Sequence, residues 1–276
     1  MRKRIIEVAN ISDTGQKRPH NEDSAVTDTS LGLAIVADGM GGYKAGEVAS
    51  AIAVQMILDD LHVALEGGAR GRADELTGLS YPSRALRDAV AHANAEVYRT
   101  AQEVPQCQGM GTTVVAILYH GDKVSIAHVG DSRVYRLQGE EFKQITRDHS
   151  LIQELIDRGF FTAEEAAENT PKNLVTRALG IEHQVDVDIQ EQDALEGEIY
   201  LLCSDGLNDM VDDEEIHLTL SKYSANLFEA ASELVRLANE KGGKDNVSVV
   251  LVRPQAIATE ASGLMAKLNS FLQKSS

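Results

Sequence analysis

The chain has 276 residues and carries 43 acidic side chains against 26 Lys and Arg, a formal net charge of −17. So negative a surface repels a phosphate backbone and excludes nucleic acid as the expected partner. Hydrophobic residues make up 43% and aromatics only 4%, with no Trp, which leaves material for one sizeable aliphatic core and excludes a disordered chain.

Periodicity and turn residues predict the following elements in chain order. A first strand is expected over 5–12, and a buried strand over 31–37 closed by a tight turn at Asp38-Gly39. Apolar residues at helical spacing predict helices over 46–65 and 83–103, separated by a Gly-rich exposed loop. A three-stranded meander is expected between Thr112 and Leu137, with turns at His120-Gly121-Asp122 and Gly130-Asp131-Ser132. A short amphipathic helix over 149–158 precedes an irregular stretch running through Pro171. A buried strand over 199–203 ends in Ser204-Asp205-Gly206, followed by a helix over 227–240 and a strand over 247–252. Beyond Pro254 a tail with Leu264, Leu268 and Leu272 at four-residue spacing is expected to form a capping helix. Strand-rich halves with helices and no linker give an α+β class, an antiparallel sandwich.

Two cysteines, Cys107 and Cys203, stand in no metal-ligand spacing and fit a reducing compartment. The apolar run after the basic Met1-Arg2-Lys3-Arg4 is broken by Glu7 and Asn10, too short for a signal peptide, and no stretch approaches the ~18 apolar residues of a membrane span. A cytoplasmic protein with no membrane partner is expected.

The chemistry is concentrated in aspartates at strand ends. Asp38, Asp131 and Asp205 each follow an apolar strand, and Asp245 precedes one. In antiparallel sheets the end of one strand lies beside the start of its neighbour, so these four can gather on one edge of the sandwich. Gathered carboxylates repel one another, and oxygen-loving divalent cations relieve that repulsion. Two such ions close together acidify a water and neutralise the charge of a phosphate ester. Gly39, Gly130 and Gly206 beside the acids allow a close backbone approach, and Gly39 has a carbonyl to lend. Arg18, Glu22 and Asp23 form a second polar element: Arg18 offers a planar fork for phosphate oxygens, and the two acids suit metal-bound waters. Any one of these features alone is ordinary turn or surface chemistry. His62 and His92 read as packing or surface residues.

Seven segments together resemble the protein phosphatase 2C, or PPM, family of metal-dependent protein serine/threonine phosphatases. They are RPHNED (18–23), VADGMGG (36–42), GMGTT (109–113), VGDSRVY (129–135), TRALG (176–180), LLCSDGL (201–207) and GGKDNVSVV (242–250). DGMGG resembles the bacterial branch. The resemblance implies a central β-sandwich flanked by helices on both faces, four layers in all, over 1–254, with a flap at about 150–174 and the tail over 255–276 outside it. It implies two core Mn2+ or Mg2+ ions, bridged by Asp38, with Gly39 ligating one through its carbonyl and Asp205 and Asp245 completing the other. It further implies that Asp23, with Glu22 nearby, acts through metal-bound water, that Asp131 helps hold a third and weaker ion, and that Arg18 grips the substrate phosphate. The implied reaction is in-line attack on phosphorus by a water shared between the core ions, without a covalent intermediate. The implied partners are phosphorylated proteins, substrates of Ser/Thr kinases, met by a monomeric enzyme.

The chain departs from the family at three points. Met40 stands where many eukaryotic members have a proposed general-acid histidine, Tyr43 where bacterial members often have His, and Ser248 in place of Thr. Water near Asp131 is therefore the expected proton donor, with His20 as the alternative. A cysteine phosphatase needs Arg six residues after Cys, but Thr113 and Asp209 occupy those positions, and no GxxxxGK[ST] loop is present. Asp186-Val187-Asp188 reads as part of a strand. A metal phosphodiesterase and a non-catalytic phosphoprotein-binding module are the remaining alternatives.

Overall fold

The computed structural model describes residues 6–42, 44–66, 77–162, 165–166 and 174–255. The expected C-terminal helix lies outside them, as do Tyr43 and residues 163–164 and 167–173 of the expected flap.

Eleven strands form two antiparallel sheets among these residues. The first sheet runs β1 (Ile6–Asp13), β11 (Val247–Pro254), β10 (Ile199–Cys203), β7 (Arg133–Gln138), β8 (Glu141–Gln144). The second runs β2 (Asp23–Asp28), β3 (Leu33–Met40), β5 (Val114–His120), β6 (Lys123–Val129), β9 (Asp188–Asp193), with the two-residue β4 (Gly111–Thr112) on β3. Helices α1 (Ala45–Leu65) and α2 (Tyr81–Glu103) cover the second sheet, and α5 (Asp213–Lys222) and α6 (Leu227–Glu240) the first. Short helices α3 (Leu151–Asp157) and α4 (Asp205–Asn208) complete the described elements.

Strand alternation produces this layering. On β3, Leu33, Ile35 and Ala37 pack toward α1 and α2, while Ala34 and Val36 pack between the sheets. On β10, Leu201 and Cys203 face α5 and α6, while Tyr200 and Leu202 meet Ala34 and Val36 inside. Both faces of the central strands are covered, which is why they read as continuous apolar runs. By length and composition α1 is apolar enough to cross a membrane. In the fold its buried stripe, Ala49, Ala53, Ile57 and Leu61, lies in the cluster formed with α2 and β3.

Two expectations are corrected. Asp38-Gly39 is not a turn, because β3 continues through it to Met40 and Gly39 pairs with Thr112. The meander also breaks after two strands: β5 pairs β6, but β7 joins β10 and β8 in the other sheet. Gly130, at φ +109, makes the exit from β6 that carries the chain across, a conformation costly for other residues.

Candidate active site

The end of the sandwich where β3 and β6 finish and β2 and β11 start holds Glu22, Asp23, Asp38, Asp131, Asp205 and Asp245. A cavity of about 200 Å³ there is lined by Arg18, Glu22, Asp38, Gly39, Asp131, Asp205 and Asp245, together with Met40, Thr113 and Asn246. Asp38 has the same parity as Ala34 and Val36, so alternation directs it into the mouth between the sheets. Asp23 lies opposite Asp38 across β2 and β3, nearly buried beneath the cavity. Asp205 is the first residue of α4 behind its N-cap Ser204, and Asp245 stands two residues before β11 begins at Val247. A second cavity of about 180 Å³ shares Asp131 and Asp205 and adds Asp148 and Asp209.

The glycines serve backbone packing. A Cβ on Gly39 would stand 2.1 Å from the Gly46 carbonyl oxygen, and one on Gly206 would stand 2.0 Å from that of Asn246. Chain segments carrying acids are thus pressed directly on one another.

Several residues to which the sequence assigned no role hold the acids in place. Ser204 Oγ donates to Asp23 Oδ2 at 2.7 Å and accepts from Ser248 N–H at 2.9 Å, linking β2, β10 and β11. Asn246, buried, accepts from Glu22 N–H and donates to the carbonyls of Thr14 and His20, so it fixes the loop bearing Arg18. Their signal lay in the quoted segments, but the contacts are too remote in sequence to be read there. Arg18 Nη2 donates to Asp245 Oδ2 at 2.6 Å.

The electrostatics fit divalent cations. Removal from solvent, then the charges of Asp23, Asp205, Asp131 and Asp245, hold the Asp38 carboxyl well above its ordinary range. Asp205 is raised in the same way, by desolvation and then by Asp131 and Asp209. Desolvation foremost raises Asp23 and Asp131 to about 6. Asp23 Oδ1 and Asp205 Oδ1 are buried without hydrogen-bond partners. Crowded carboxylates with unused oxygens, and a lining with no His or Cys, are a donor set for hard divalent ions.

Another group of metal-capable atoms comprises His128, His149 and Asp188, mutually within 4.8 Å. Arg177 already supplies a cation there, its Nη1 lying 2.8 Å from Asp188 Oδ1 and 3.1 Å from His149 Nε2. The cluster ties β9 to the turn after β6, because Gly130 N–H donates to His149 Nδ1. Asp188 is in β9, as expected of a strand residue. His62 and His92 pair with Asp28 and Asp60.

Two stacked antiparallel sheets between helices, with five aspartates converging at one end, define a metal-dependent phosphoester hydrolase. The family model of protein phosphatase 2C matches residues 16–245, and the chain belongs to that family: it is a metal-dependent protein serine/threonine phosphatase, acting on phosphoproteins. A serine/threonine phosphatase, stp, from Listeria monocytogenes is 39% identical over 244 residues, covering 87% of this chain and 93% of that protein. The phosphatase PstP of Mycobacterium tuberculosis is 41% identical over 249 residues, 90% of this chain but 45% of that longer protein. A crystal structure of PstP superposes with a TM-score of 0.80 at 37% identity, covering 91% of this chain and 99% of that one. The PstP catalytic domain in complex with two manganese ions gives 0.78 at the same identity and coverage.

Proposed function

We propose that this cavity hydrolyses phosphoserine and phosphothreonine in proteins modified by Ser/Thr kinases, with Asp38, the Gly39 carbonyl, Asp205 and Asp245 holding two Mn2+ or Mg2+ ions. Asp23 and Glu22 act on them through water, and Asp131 holds a third ion with the acids of the adjoining cavity. When bound, the core ions supply an acidified water and positive charge for the phosphoryl oxygens.

The remaining work falls to side chains of the chain itself. Arg18, about half exposed at the rim, exchanges its Asp245 partner for the incoming phosphate and orients it by a forked contact. Asn246 keeps the Arg18 loop in register with Asp245. No His lines the cavity, and Met40 and Val175 give it apolar wall. The departing serine or threonine oxygen therefore takes its proton from a water held beside Asp131. In-line attack then needs no covalent enzyme intermediate, consistent with Cys203 lying buried, its thiol pushed up to about 12 by burial. The relatives are named serine/threonine phosphatases, which supports an enzyme opposing a Ser/Thr kinase, and the charge of −17 argues against nucleic acid.

The convergence of Asp38, Asp131, Asp205 and Asp245 on one cavity, with Asp23 opposite Asp38 beside it, carries this reading. Protein stripped with EDTA should hydrolyse p-nitrophenyl phosphate and a phosphothreonine peptide only after Mn2+ is restored, and Asp205→Ala should remain inactive. Faster cleavage of bis-p-nitrophenyl phosphate than of the monoester would instead make it a phosphodiesterase.

A further inference from the structure

The GMGTT segment has no place in the mechanism above, yet its last residue occupies the junction between two acidic strands. Pairing of β3 with β5 ends at Val36–Val115, and pairing of β5 with β6 ends at Val114–Val129. Beyond Val114–Val129 β6 leaves the sheet, whereas β3 stays paired in the same register through Gly39–Thr112 on β4, so Asp38 lies on one side of Thr113 and the turn to Asp131 on the other. Thr113 joins β4 to β5 between them, 2% exposed.

Its contacts are fully specified. Thr113 N–H donates to Asp38 O at 2.9 Å, and Asp38 N–H donates to Thr113 Oγ1 at 3.1 Å. Thr112 Oγ1 donates to the same Asp38 carbonyl at 2.8 Å. On the other side Thr113 Oγ1 and Ser132 Oγ share a hydrogen bond of 2.7 Å, next to Asp131. The methyl acts separately. A Cβ on Gly130 would stand 2.6 Å from Thr113 Cβ and Cγ2, so the turn before Asp131 rests directly on this side chain.

One hydroxyl therefore bonds the backbone of Asp38 and the turn carrying Asp131, and one methyl sets how near that turn comes. We propose that Thr113 is a positioning residue that fixes the spacing of Asp38 and Asp131, and through it the affinity of the site for divalent ions. This rests on the metal-holding roles given above for those two aspartates. Outer groups that orient ligands commonly account for ten- to a hundredfold in metal affinity, because a ligand free to move must be ordered on binding. Neither Ser nor Val supplies both groups, since Ser lacks the methyl and Val lacks the hydroxyl that receives the Asp38 N–H.

The test is Mn2+ binding to EDTA-stripped protein by isothermal titration calorimetry, independent of turnover. T113V keeps the shape and removes the hydroxyl, and should weaken Mn2+ binding about tenfold. T113S keeps the hydroxyl and loses only the methyl, so it should weaken binding about threefold, less than T113V, an order that a loss of packing alone would reverse. In turnover of p-nitrophenyl phosphate at sub-saturating Mn2+, T113V should lower kcat with little change in KM. Should T113V fail to fold by circular dichroism, S132A removes the far end of the same bond and should weaken Mn2+ binding about threefold. Mn2+ affinity equal to wild type in T113V, or in S132A where that variant stands in, overturns the proposal while leaving the metal site intact. A wild type that binds no Mn2+ overturns both.

Discussion

Asp23 and Asp38 stand directly opposite one another across β2 and β3, in register, at the cavity end of the sandwich. Like charges opposed across an antiparallel pair destabilise it, and removal from solvent makes this pair worse. The fold keeps the arrangement by bonding Ser204 to the Asp23 carboxylate and by anchoring the Asp38 backbone, its carbonyl to Thr112 and its N–H to Thr113. Strain of this kind is retained where function needs it. Asp38→Asn removes one charge and adds a donor, so it should stabilise the metal-free protein by about 1 kcal/mol, a rise of roughly 2–4 °C in melting temperature. Mn2+-dependent turnover should fall by about a hundredfold or more. Differential scanning calorimetry in EDTA, paired with a phosphatase assay, checks both halves.

Arg18 pairs with Asp245 but remains about half exposed, poised between an acid and the open cavity. Arg18→Ala should raise KM for p-nitrophenyl phosphate about tenfold and weaken inhibition by inorganic phosphate to the same degree, as loss of a charge-assisted contact does. Arg18→Lys should recover little, since an ammonium cannot make the forked contact. A kcat loss with KM unchanged would remove Arg18 from phosphate binding.

The α+β sandwich class and the strand-end acids are legible in the sequence because both signals are local, whereas the four layers are implied by the family resemblance. Apolar runs on β3, β5, β10 and β11 are covered on both faces, and Asp38, Asp205 and Asp245 lie at or near the ends of three of them. The elements that escaped are those whose signals are weak or remote. The strand expected around Asp186-Val187-Asp188 is misplaced rather than missed: β9, DIQEQD, starts only at Asp188, and as a polar edge strand it has no apolar run to mark its extent. β2, DSAVTD, begins with a buried acid, contrary to its composition. Helix α5 did carry a local mark, the reciprocal capping box of Asp212 and Glu215. The break between β6 and β7 depends on the positive φ of Gly130, which a Gly-Asp pair also offers a plain hairpin.

Asn246 illustrates the remote case, since its partners Thr14, His20 and Glu22 are more than two hundred residues away. Asn246→Ala removes three part-buried hydrogen bonds and should cost about 2–3 kcal/mol. It should also raise KM, because the loop bearing Arg18 is released. Urea unfolding and steady-state kinetics give the two numbers, and a variant with unchanged KM would show that the loop is held without Asn246.

Far from the cavity, Glu191 on β9 receives hydrogen bonds from Ser80 N–H and Ser83 Oγ at the start of α2 and a 3.0 Å ion pair from Lys123. Burial raises its carboxyl, but the bonds from Ser80, Ser83 and Lys123 outweigh that and bring it down to about 2 from an ordinary 4.5. A depressed carboxylate gives stability that is present above the unfolded-state value and lost as pH falls through the folded one. Wild type should therefore lose stability relative to Glu191→Gln between about pH 4.5 and pH 2, and the two should differ by a constant amount above pH 5. Melting temperature against pH for both proteins reads this out, and parallel curves through the acid range would refute it.

The most direct trial of the metal centre is anomalous diffraction at the manganese edge from crystals grown with Mn2+. Two strong peaks are expected in the cavity, bounded by Asp38, the Gly39 carbonyl, Asp205 and Asp245, with a weaker third beside Asp131. Well-ordered aspartates with no peak among them, or peaks only at His128, His149 and Asp188, would contradict it.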